Sequence, residues 1–300
     1  ILLFVDHHDI GEKVKKIIHK DNFDTISKKY EMEQESKYLW KKNIPEILNY
    51  EFKNYELLGN ICYISVGMVP NADETIAKGE FTKDDLISDK FSKVNNKLYI
   101  EGKHTSRFKI KEIRYLEWGT DRSPAKLRRP TFPELYQGKK LLRGSQTEGL
   151  IDYNNFITNH SLYIFRRFID LKGINNRSIS NILSKKNPNN TRSKLEKLSK
   201  EFKYEYLLGI INSNLMNVYL NAVRRHKLPN TFYPDDFRKI PIKRSKHQSL
   251  FVKLVDILQF LYQNEKKTKI RKYFDDKILN FLVYELYFEE SLKEENLYQD

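Results

Sequence analysis

The sequence is short of the residues that build disulfide frameworks, zinc sites and phosphate-binding loops. Its 300 residues include a single cysteine, Cys62, which excludes an internal disulfide framework, a cysteine-rich zinc site and a Cys-x-x-Cys redox motif. The 11 glycines never occur as Gly-x-Gly, so the dinucleotide fingerprint and the Walker loop are missing. There is also no Pro-Pro pair, hence no Asn-Pro-Pro-Tyr motif. We therefore expect no catalytic residue, no metal site and no bound cofactor in this segment.

Long apolar runs are absent as well. No run approaches the roughly 18 residues that a membrane span needs, and the opening Ile1–Val5 is too short for the core of a signal peptide. The sequence thus predicts a cytoplasmic location and no membrane partner. Because the chain begins at Ile1 and not at Met, we expect it to be a fragment of a longer protein.

Acidic residues are fewer than basic residues. Lys and Arg number 54 against 40 Asp and Glu, which gives a net charge of +14 and a pI near 9.4. With 39% hydrophobic and 31% charged residues, the composition is that of a globular chain. The charge favours a polyanion or an acidic surface as the partner.

The positive charge is concentrated in three segments. Residues 121–145 carry seven basic and two acidic side chains, residues 184–203 carry seven and two, and residues 222–246 carry eight and two. Gln, Asn and aromatic residues lie among them. Arg and Lys neutralise phosphates, while Gln, Asn and Arg can also read base edges through paired donors and acceptors. These segments predict nucleic-acid binding, without separating DNA from RNA.

Hydrophobic patterning predicts an α+β fold. Residues 56–170 contain short β-branched and aromatic runs separated by turn signals, and later residues show the i, i+3, i+4 spacing of helices. One apolar helix face runs from Tyr204 to Tyr219, with Gly209 indicating close packing, and Ser245 with Gln248 fits a capping box for a further helix. The predicted strands are Gly59–Val66, Leu98–Ile100, Arg107–Ile110, Lys140–Arg143 and Phe156–Phe165.

Five stretches, in order, carry a resemblance to a known family. They cover most of residues 56–265, and their shared order and spacing make the match specific although none is catalytic. The chain resembles the C-terminal target-recognition region of TaqI-type N6-adenine DNA methyltransferases, which also occurs in fused type IIG restriction–modification enzymes. The stretches are GNICYISVGMVPNAD (59–73), RPTFPELYQGKKLLR (129–143), NHSLYIF (159–165), YLLGIINSNLMNVY (206–219) and FRKIPI (237–242).

The resemblance implies a division of labour between this segment and the rest of its parent. An upstream domain would bind S-adenosylmethionine and flip adenine into its pocket, while this segment would recognise double-stranded DNA. Residues 1–55 would be the end of that methyltransferase-like domain or a linker. Residues 56–190 would form a β-rich target-recognition domain, and residues 191–300 a helical subdomain that packs on it.

Mapped by position, the basic strand of the family corresponds to Lys139, Lys140 and Arg143, which we assign to phosphates. The loop beyond it, together with residues 71–75, would read bases, and basic residues in the helical part would hold the backbone. The candidate DNA-contacting residues are Arg128, Arg129, Lys139, Lys140, Arg143, Gln146, Thr147, Asn154, Arg224, Arg225, Lys243 and Arg244.

Three alternatives remain open at the level of sequence. A specificity subunit of a type I restriction system should show two recognition domains with long spacer helices. An RNA-binding module would be favoured by exposed aromatic residues on a sheet. A metal-dependent nuclease would need clustered carboxylates, and the Glu-x-Lys triplets at Glu35, Glu51 and Glu101 all precede the one Pro-Asp pair, at Pro234.

Overall fold

Short strands dominate the described residues from Tyr55 to Arg167. The computed structural model describes residues 55–186, 189–224, 231–264 and 268–294, so most of the predicted 1–55 segment lies outside the described residues. The strands are β1 (Tyr55–Leu57), β2 (Cys62–Val66), β3 (Val69–Ala72), β4 (Ile87–Ser88), β5 (Asn95–Ile100), β6 (Thr105–Ser106), β7 (Lys109–Ile110), β8 (Arg114–Glu117), β9 (Leu127–Arg129), β10 (Lys140–Gly144), β11 (Leu150–Asp152), β12 (Ile157–Thr158), β13 (Leu162–Arg167) and β14 (Pro241–Lys243).

Helices dominate the second half, which confirms the α+β class and the helical C-terminal part. A π-helical segment, Tyr273–Leu279, joins the last two helices. The helices are α1 (Leu58–Ile61), α2 (Arg177–Lys186), α3 (Arg192–Ser199), α4 (Tyr204–Asn212), α5 (Asn214–Val223), α6 (Pro234–Phe237), α7 (Gln248–Gln263), α8 (Thr268–Lys272) and α9 (Asn280–Glu294).

A four-stranded antiparallel sheet with the order β11-β10-β13-β2 lies at the centre of the molecule. Its side chains alternate between two hydrophobic cores, as the two-residue period of a strand requires. Leu141 and Phe165 face the first core, which the C-terminal helices cover, whereas Leu142 and Ile164 face the second. Both faces of this sheet are therefore covered by protein, and its side chains are withdrawn from solvent.

The ends of this sheet decide where its loops emerge. Both β2 and β10 run antiparallel to β13, and they pair with it so that Val66 and Arg143 lie opposite Tyr163. At one end β2 and β10 stop and β13 begins; we call it the Gly144 end, and the other the Lys140 end. With a rise of about 3.4 Å per residue, the two ends of β10 lie roughly 14 Å apart.

A second four-stranded sheet lies in the β-rich part. It has the order β12-β5-β8-β4, with β12 parallel to β5. Its buried residues Tyr99, Ile100 and Leu116 belong to the second core, together with Leu142 of the central sheet. The second core thus joins the two sheets.

The central helix α4 is buried along its whole length. It packs against α7, and a Cβ added to Gly209 would lie only 2.8 Å from Cδ1 of Phe251, so the predicted close packing at this glycine is confirmed. The apolar face from Tyr204 to Tyr219 forms two helices. The helical conformation is interrupted at Ser213, whose backbone is extended. The Ser213 side-chain oxygen caps α5 by accepting a hydrogen bond from Met216 N at 3.2 Å.

Other predicted elements differ in detail. The predicted strand Phe156–Phe165 is two strands, β12 and β13, separated by a turn in which Asn159 Oδ1 accepts the Ser161 N–H at 3.1 Å. The predicted capping box at Ser245 is wrong: α7 begins at Gln248, whose side-chain oxygen accepts a hydrogen bond from Lys203 N at 3.0 Å. Gln248 therefore bonds to a residue distant in the sequence and does not form the predicted local capping bond with Ser245.

Candidate nucleic-acid interface

Lys140 opens β10 and is fully buried. Its Nζ lies 2.5 Å from Oδ2 of Asp152 on β11 and donates a hydrogen bond to the Tyr136 carbonyl at 2.6 Å. Asp152 also accepts the N–H groups of Asn154 and Phe156, at 2.6 and 2.9 Å. Burial lowers the pKa of Lys140, while the Asp152 carboxylate opposes that change. The predicted phosphate contact of Lys140 is therefore wrong, because its ammonium group is enclosed by protein.

Arg143, on the opposite face of β10, is also buried, with 3% of its surface exposed. It donates hydrogen bonds to the Ile211 carbonyl at 2.6 Å and to Asn217 Oδ1 at 3.0 Å, and its guanidinium packs on the rings of Phe232 and Phe237. Burial lowers its pKa to about 10, which still leaves it charged at neutral pH. Arg143 holds helices α4 and α5 to the sheet and cannot also contact a phosphate, which corrects the prediction.

Lys139 and Asn154 come together at the Lys140 end of the sheet. Lys139 forms an ion pair with Glu205 of α4, and its Nζ lies 5.1 Å from the centre of the Tyr153 ring. Burial and the nearby Glu205 charge raise the pKa of Asp256, which places a second carboxylate in this group. Asn154 is exposed beside them. The acidic neighbours offset the charge of Lys139, so this end is a poor site for a polyanion.

Lys243 is the last residue of β14, opposite Tyr55 of β1, and Arg244 follows it directly. Arg244 forms ion pairs with Glu201 at 2.7 Å and with Glu56 at 3.2 Å. Lys243 Nζ lies 3.4 Å from the Tyr287 carbonyl and 6.0 Å from the centre of its ring. Both cations already have partners, which weakens the case for the predicted backbone contacts here, while the Arg244 side chain stays 54% exposed.

Two segments far apart in the sequence form one antiparallel ribbon at the Gly144 end. Strand β3 follows β2 directly and pairs with β9, so that Val69 lies opposite Arg129 and Ala72 opposite Leu127. Ala72 and Leu127 pack in the second core, so one face of the ribbon is buried. The ribbon thus brings the predicted base-reading residues 71–75 beside the predicted basic pair Arg128 and Arg129.

The ribbon carries polar residues that are open to solvent. Asn71, Arg128 and Arg129 are exposed. Arg128 lies 4.0 Å from Glu74, and both side chains are more than half exposed, so this ion pair is weak. Among the described residues, Arg129 forms no ion pair. Beyond β3, Asp73 closes a tight turn by accepting the Thr75 N–H at 2.9 Å.

The start of the ribbon is fixed by a close backbone contact. A Cβ at Gly67 would lie 2.2 Å from the Thr158 carbonyl oxygen, so only glycine fits between β2 and β3. Met68 N donates to the same carbonyl at 2.9 Å. On the β9 side, Thr131 has a positive φ of 60° and donates a hydrogen bond to Tyr136 Oη at 2.8 Å. These contacts hold the ribbon in one position.

The hairpin loop between β10 and β11 emerges at the same Gly144 end. Gln146 is exposed and donates a hydrogen bond to Thr231 Oγ1 at 3.1 Å, and Thr147 Oγ1 accepts the Gly144 N–H at 3.1 Å. Because β10 and β2 flank β13, this loop and the ribbon start about 10 Å apart. The structure therefore places Gln146 and Thr147 with the ribbon, and separates them from Lys139 and Asn154.

The predicted pair Arg224 and Arg225 is described only in part. Arg224 caps the C-terminus of α5 and donates a hydrogen bond to Asn221 Oδ1 at 2.7 Å. Arg225 lies outside the described residues. On the far side of that gap, Thr231 accepts a hydrogen bond from Gln146 and so lies at the Gly144 end.

Sequence reasoning missed one exposed loop, residues 89–94, between β4 and β5. It presents Lys90, Phe91 and Lys93 to solvent. The signal is an aromatic residue between two lysines in a segment without strand or helix periodicity. This part of the chain has no large excess of basic residues, so the distribution of charge does not single it out.

Two further properties of the described residues bear on the open alternatives. No group of three or more His, Cys, Asp or Glu side chains there is arranged to hold a metal ion. In the same ranges, every helix is too short or too polar to cross a bilayer. Comparison with protein-family models and with curated protein sequences finds no match for this chain.

Proposed function

We propose that this chain is a sequence-specific recognition module for double-stranded DNA, the target-recognition region of an N6-adenine DNA methyltransferase or of a fused restriction–modification enzyme. Its interface would be the Gly144 end, formed by the β3–β9 ribbon and the β10–β11 loop. S-adenosylmethionine binding and methyl transfer would belong to an upstream methyltransferase domain, the second partner of this segment.

The observation that carries the proposal is the ribbon itself. A two-stranded antiparallel ribbon is one of the two elements that fit the major groove of B-DNA. One face of this ribbon packs in the protein core, which fixes its position, and its exposed residues include Asn71, Arg128 and Arg129. Arg pairs with guanine and Asn with adenine through two parallel hydrogen bonds. The ribbon therefore supports both base reading and phosphate binding.

The β10–β11 loop adds a second group of readers beside the ribbon. Gln146 offers an amide, which pairs with adenine as Asn does. Its bond to Thr231 uses one amide hydrogen and leaves the other hydrogen and the oxygen available. Arg143 lies beneath this loop and fixes its base to α4 and α5. A rigid support of this kind is what base reading requires, since a misplaced amide loses its paired contact.

The test is selection from a randomised duplex-DNA pool, with duplex RNA of matched length as the competitor. Enrichment of a motif several base pairs long is the expected result. Arg129→Ala should weaken binding of the selected duplex by about 1–3 kcal/mol if Arg129 reads a base. Arg177→Ala is the matched control, since Arg177 is equally an exposed arginine but follows the opposite end of β13.

Three other outcomes of this experiment would each contradict a different part of the proposal. Binding without an enriched motif would leave a non-specific basic surface and remove sequence recognition. Displacement by the RNA competitor would remove DNA as the partner. If Arg129→Ala and Arg177→Ala behaved alike, the ribbon would not be the interface.

A further inference from the structure

The loop of residues 89–94, which we call the Phe91 loop, exposes a large aromatic ring. Phe91 is 66% exposed, the highest value among the large hydrophobic residues that the structure describes. Its ring contacts that of Tyr115 edge-on, with the centroids 5.8 Å apart at 77°. One edge is thus supported by protein while most of the ring meets solvent.

The Phe91 loop is held in its conformation by several hydrogen bonds. Ser92 Oγ accepts the N–H groups of Val94 and Asn95, at 3.2 and 2.8 Å. The Asn95 side chain donates to the Leu86 carbonyl at 3.0 Å, and Trp118 N donates to the Val94 carbonyl at 3.1 Å. The loop is therefore held in the conformation that presents Phe91, and little further ordering is needed when a partner binds.

The ring lies between two positive charges in the sequence. Lys90 and Lys93 are exposed, and neither forms an ion pair among the described residues. The one carboxylate in the loop, Asp89, is paired with Arg114 of β8. The loop thus presents an aromatic ring together with two ammonium groups that have no acidic partner in the described ranges.

We propose that the Phe91 loop is a second DNA contact, in which the Phe91 ring inserts into the base stack while Lys90 and Lys93 contact the flanking phosphates. The proposal rests on the proposed function, since it assumes that DNA is the partner. Apolar side chains that unstack a base step are an established way to bind and bend duplex DNA. An acidic protein surface would satisfy the lysines, whereas duplex DNA offers both phosphates and flat, stacked bases at every step.

The test compares a 30-base-pair duplex pool of random sequence with the same pool carrying one central abasic site. An abasic site removes a base from the stack, so an inserting ring no longer has to unstack it. Wild-type protein should bind the abasic pool roughly 10-fold more tightly, because the missing base removes part of the cost of unstacking the step. Phe91→Ala should lose this preference and Phe91→Trp should keep it.

Controls separate insertion from general damage. Leu250→Ala removes another exposed apolar side chain, on α7, and should leave the preference unchanged. Because Phe91 is mostly exposed, Phe91→Ala should unfold at the same temperature as wild type. The double variant Lys90→Ala, Lys93→Ala should weaken binding to both pools equally and reduce the salt dependence by about two phosphates.

The outcomes distinguish this proposal from the proposed function. If wild type and Phe91→Ala bind both pools equally, insertion is overturned while DNA recognition stands. If the lysine double variant has unchanged affinity and salt dependence, the phosphate contacts of this loop are overturned. If wild type binds no duplex at all, both proposals fail.

Discussion

Lys139 and Lys140 are adjacent in the sequence but differ in how far they are buried. Lys139 is partly exposed and pairs with Glu205, while Lys140 is enclosed and pairs with Asp152. A basic residue on a strand binds phosphate only if its face of the sheet is open, and the central sheet has two covered faces. The positive charge of this strand therefore serves packing, and the charge available to a ligand lies on β9 and on loops.

The first prediction uses this pair. Lys140→Ala should lower the free energy of unfolding by about 3–5 kcal/mol, because it leaves the buried Asp152 carboxylate without its cation. Lys139→Ala is the comparison and should cost less, because Lys139 is partly exposed and Glu205, although buried, keeps a hydrogen bond from the Tyr153 hydroxyl at 3.3 Å. Urea unfolding followed by circular dichroism measures both values. Equal effects of the two changes would contradict the buried position of Lys140.

Asp170 gives a second prediction at the residue scale. Burial opposes its ionisation, but hydrogen bonds from Arg167 at 2.8 Å and Tyr204 at 2.8 Å hold its pKa below the ordinary 3.8. A carboxyl group whose pKa is depressed on folding stabilises the fold above its unfolded pKa. That stabilisation is lost as the pH falls through the lower, folded value.

Asp170→Asn should therefore destabilise the protein most at pH 6, and the difference from wild type should shrink as the pH falls below about 4. Urea unfolding at pH 6, 4 and 3 measures this difference. Exposed Asp121 provides the control, Asp121→Asn, which should show little effect at any of these pH values. A difference that stays constant with pH would show that the Asp170 charge does not contribute.

At the scale of elements, the contact between α4 and α7 depends on one missing side chain. Gly209 lets the Phe251 ring approach to a distance at which a Cβ would clash. Phe251 is 3% exposed, so its ring has no room to move away. The glycine is unfavourable for an isolated helix, and its presence within α4 is explained by this helix–helix contact.

Gly209→Ala should accordingly destabilise the protein by about 1–3 kcal/mol through overpacking, although alanine is the better helix former. The double variant Gly209→Ala, Phe251→Leu should be less destabilised than the sum of the two single changes, because the smaller side chain gives the new methyl group room. Thermal and urea unfolding of all four proteins measure this coupling. Simple additivity would mean that the two residues do not touch.

At the scale of the whole molecule, the net charge of +14 predicts binding that depends steeply on salt. If the protein engages about four phosphates, its affinity for duplex DNA should fall roughly 100-fold between 50 and 200 mM salt. The slope of log affinity against log salt in a titration gives the number of phosphates. A flat slope would mean that the charge does not face the ligand.

The salt slope also separates the two roles open to Arg129. If Arg129 contacts a phosphate, Arg129→Ala should reduce the slope by about one and weaken all sequences equally. If it reads a base, the slope should change little and the preference at one position of the motif should be lost. Repeating the selection and the salt titration with this variant decides between the two.

Much of the fold could be predicted from the sequence where the signal is local. The strand Lys140–Arg143, the helical C-terminal part and the packing role of Gly209 follow from side-chain period, propensity and the absence of a Cβ, which neighbouring residues reveal. The break at Ser213 and the start of α7 could not be predicted in this way. The apolar pattern continues unchanged across Ser213, and Gln248 accepts a hydrogen bond from Lys203, the residue before α4.

The sequence by itself determined the α+β class, the positive charge and the segments that carry it. Only the tertiary structure decided which of those charges face solvent. It buried Lys140 and Arg143, paired Arg244 with two carboxylates, and joined residues 69–72 to residues 127–129 in the exposed ribbon. The physical reason is that charge and period are properties of each residue and its neighbours, whereas burial and strand pairing depend on residues far along the chain.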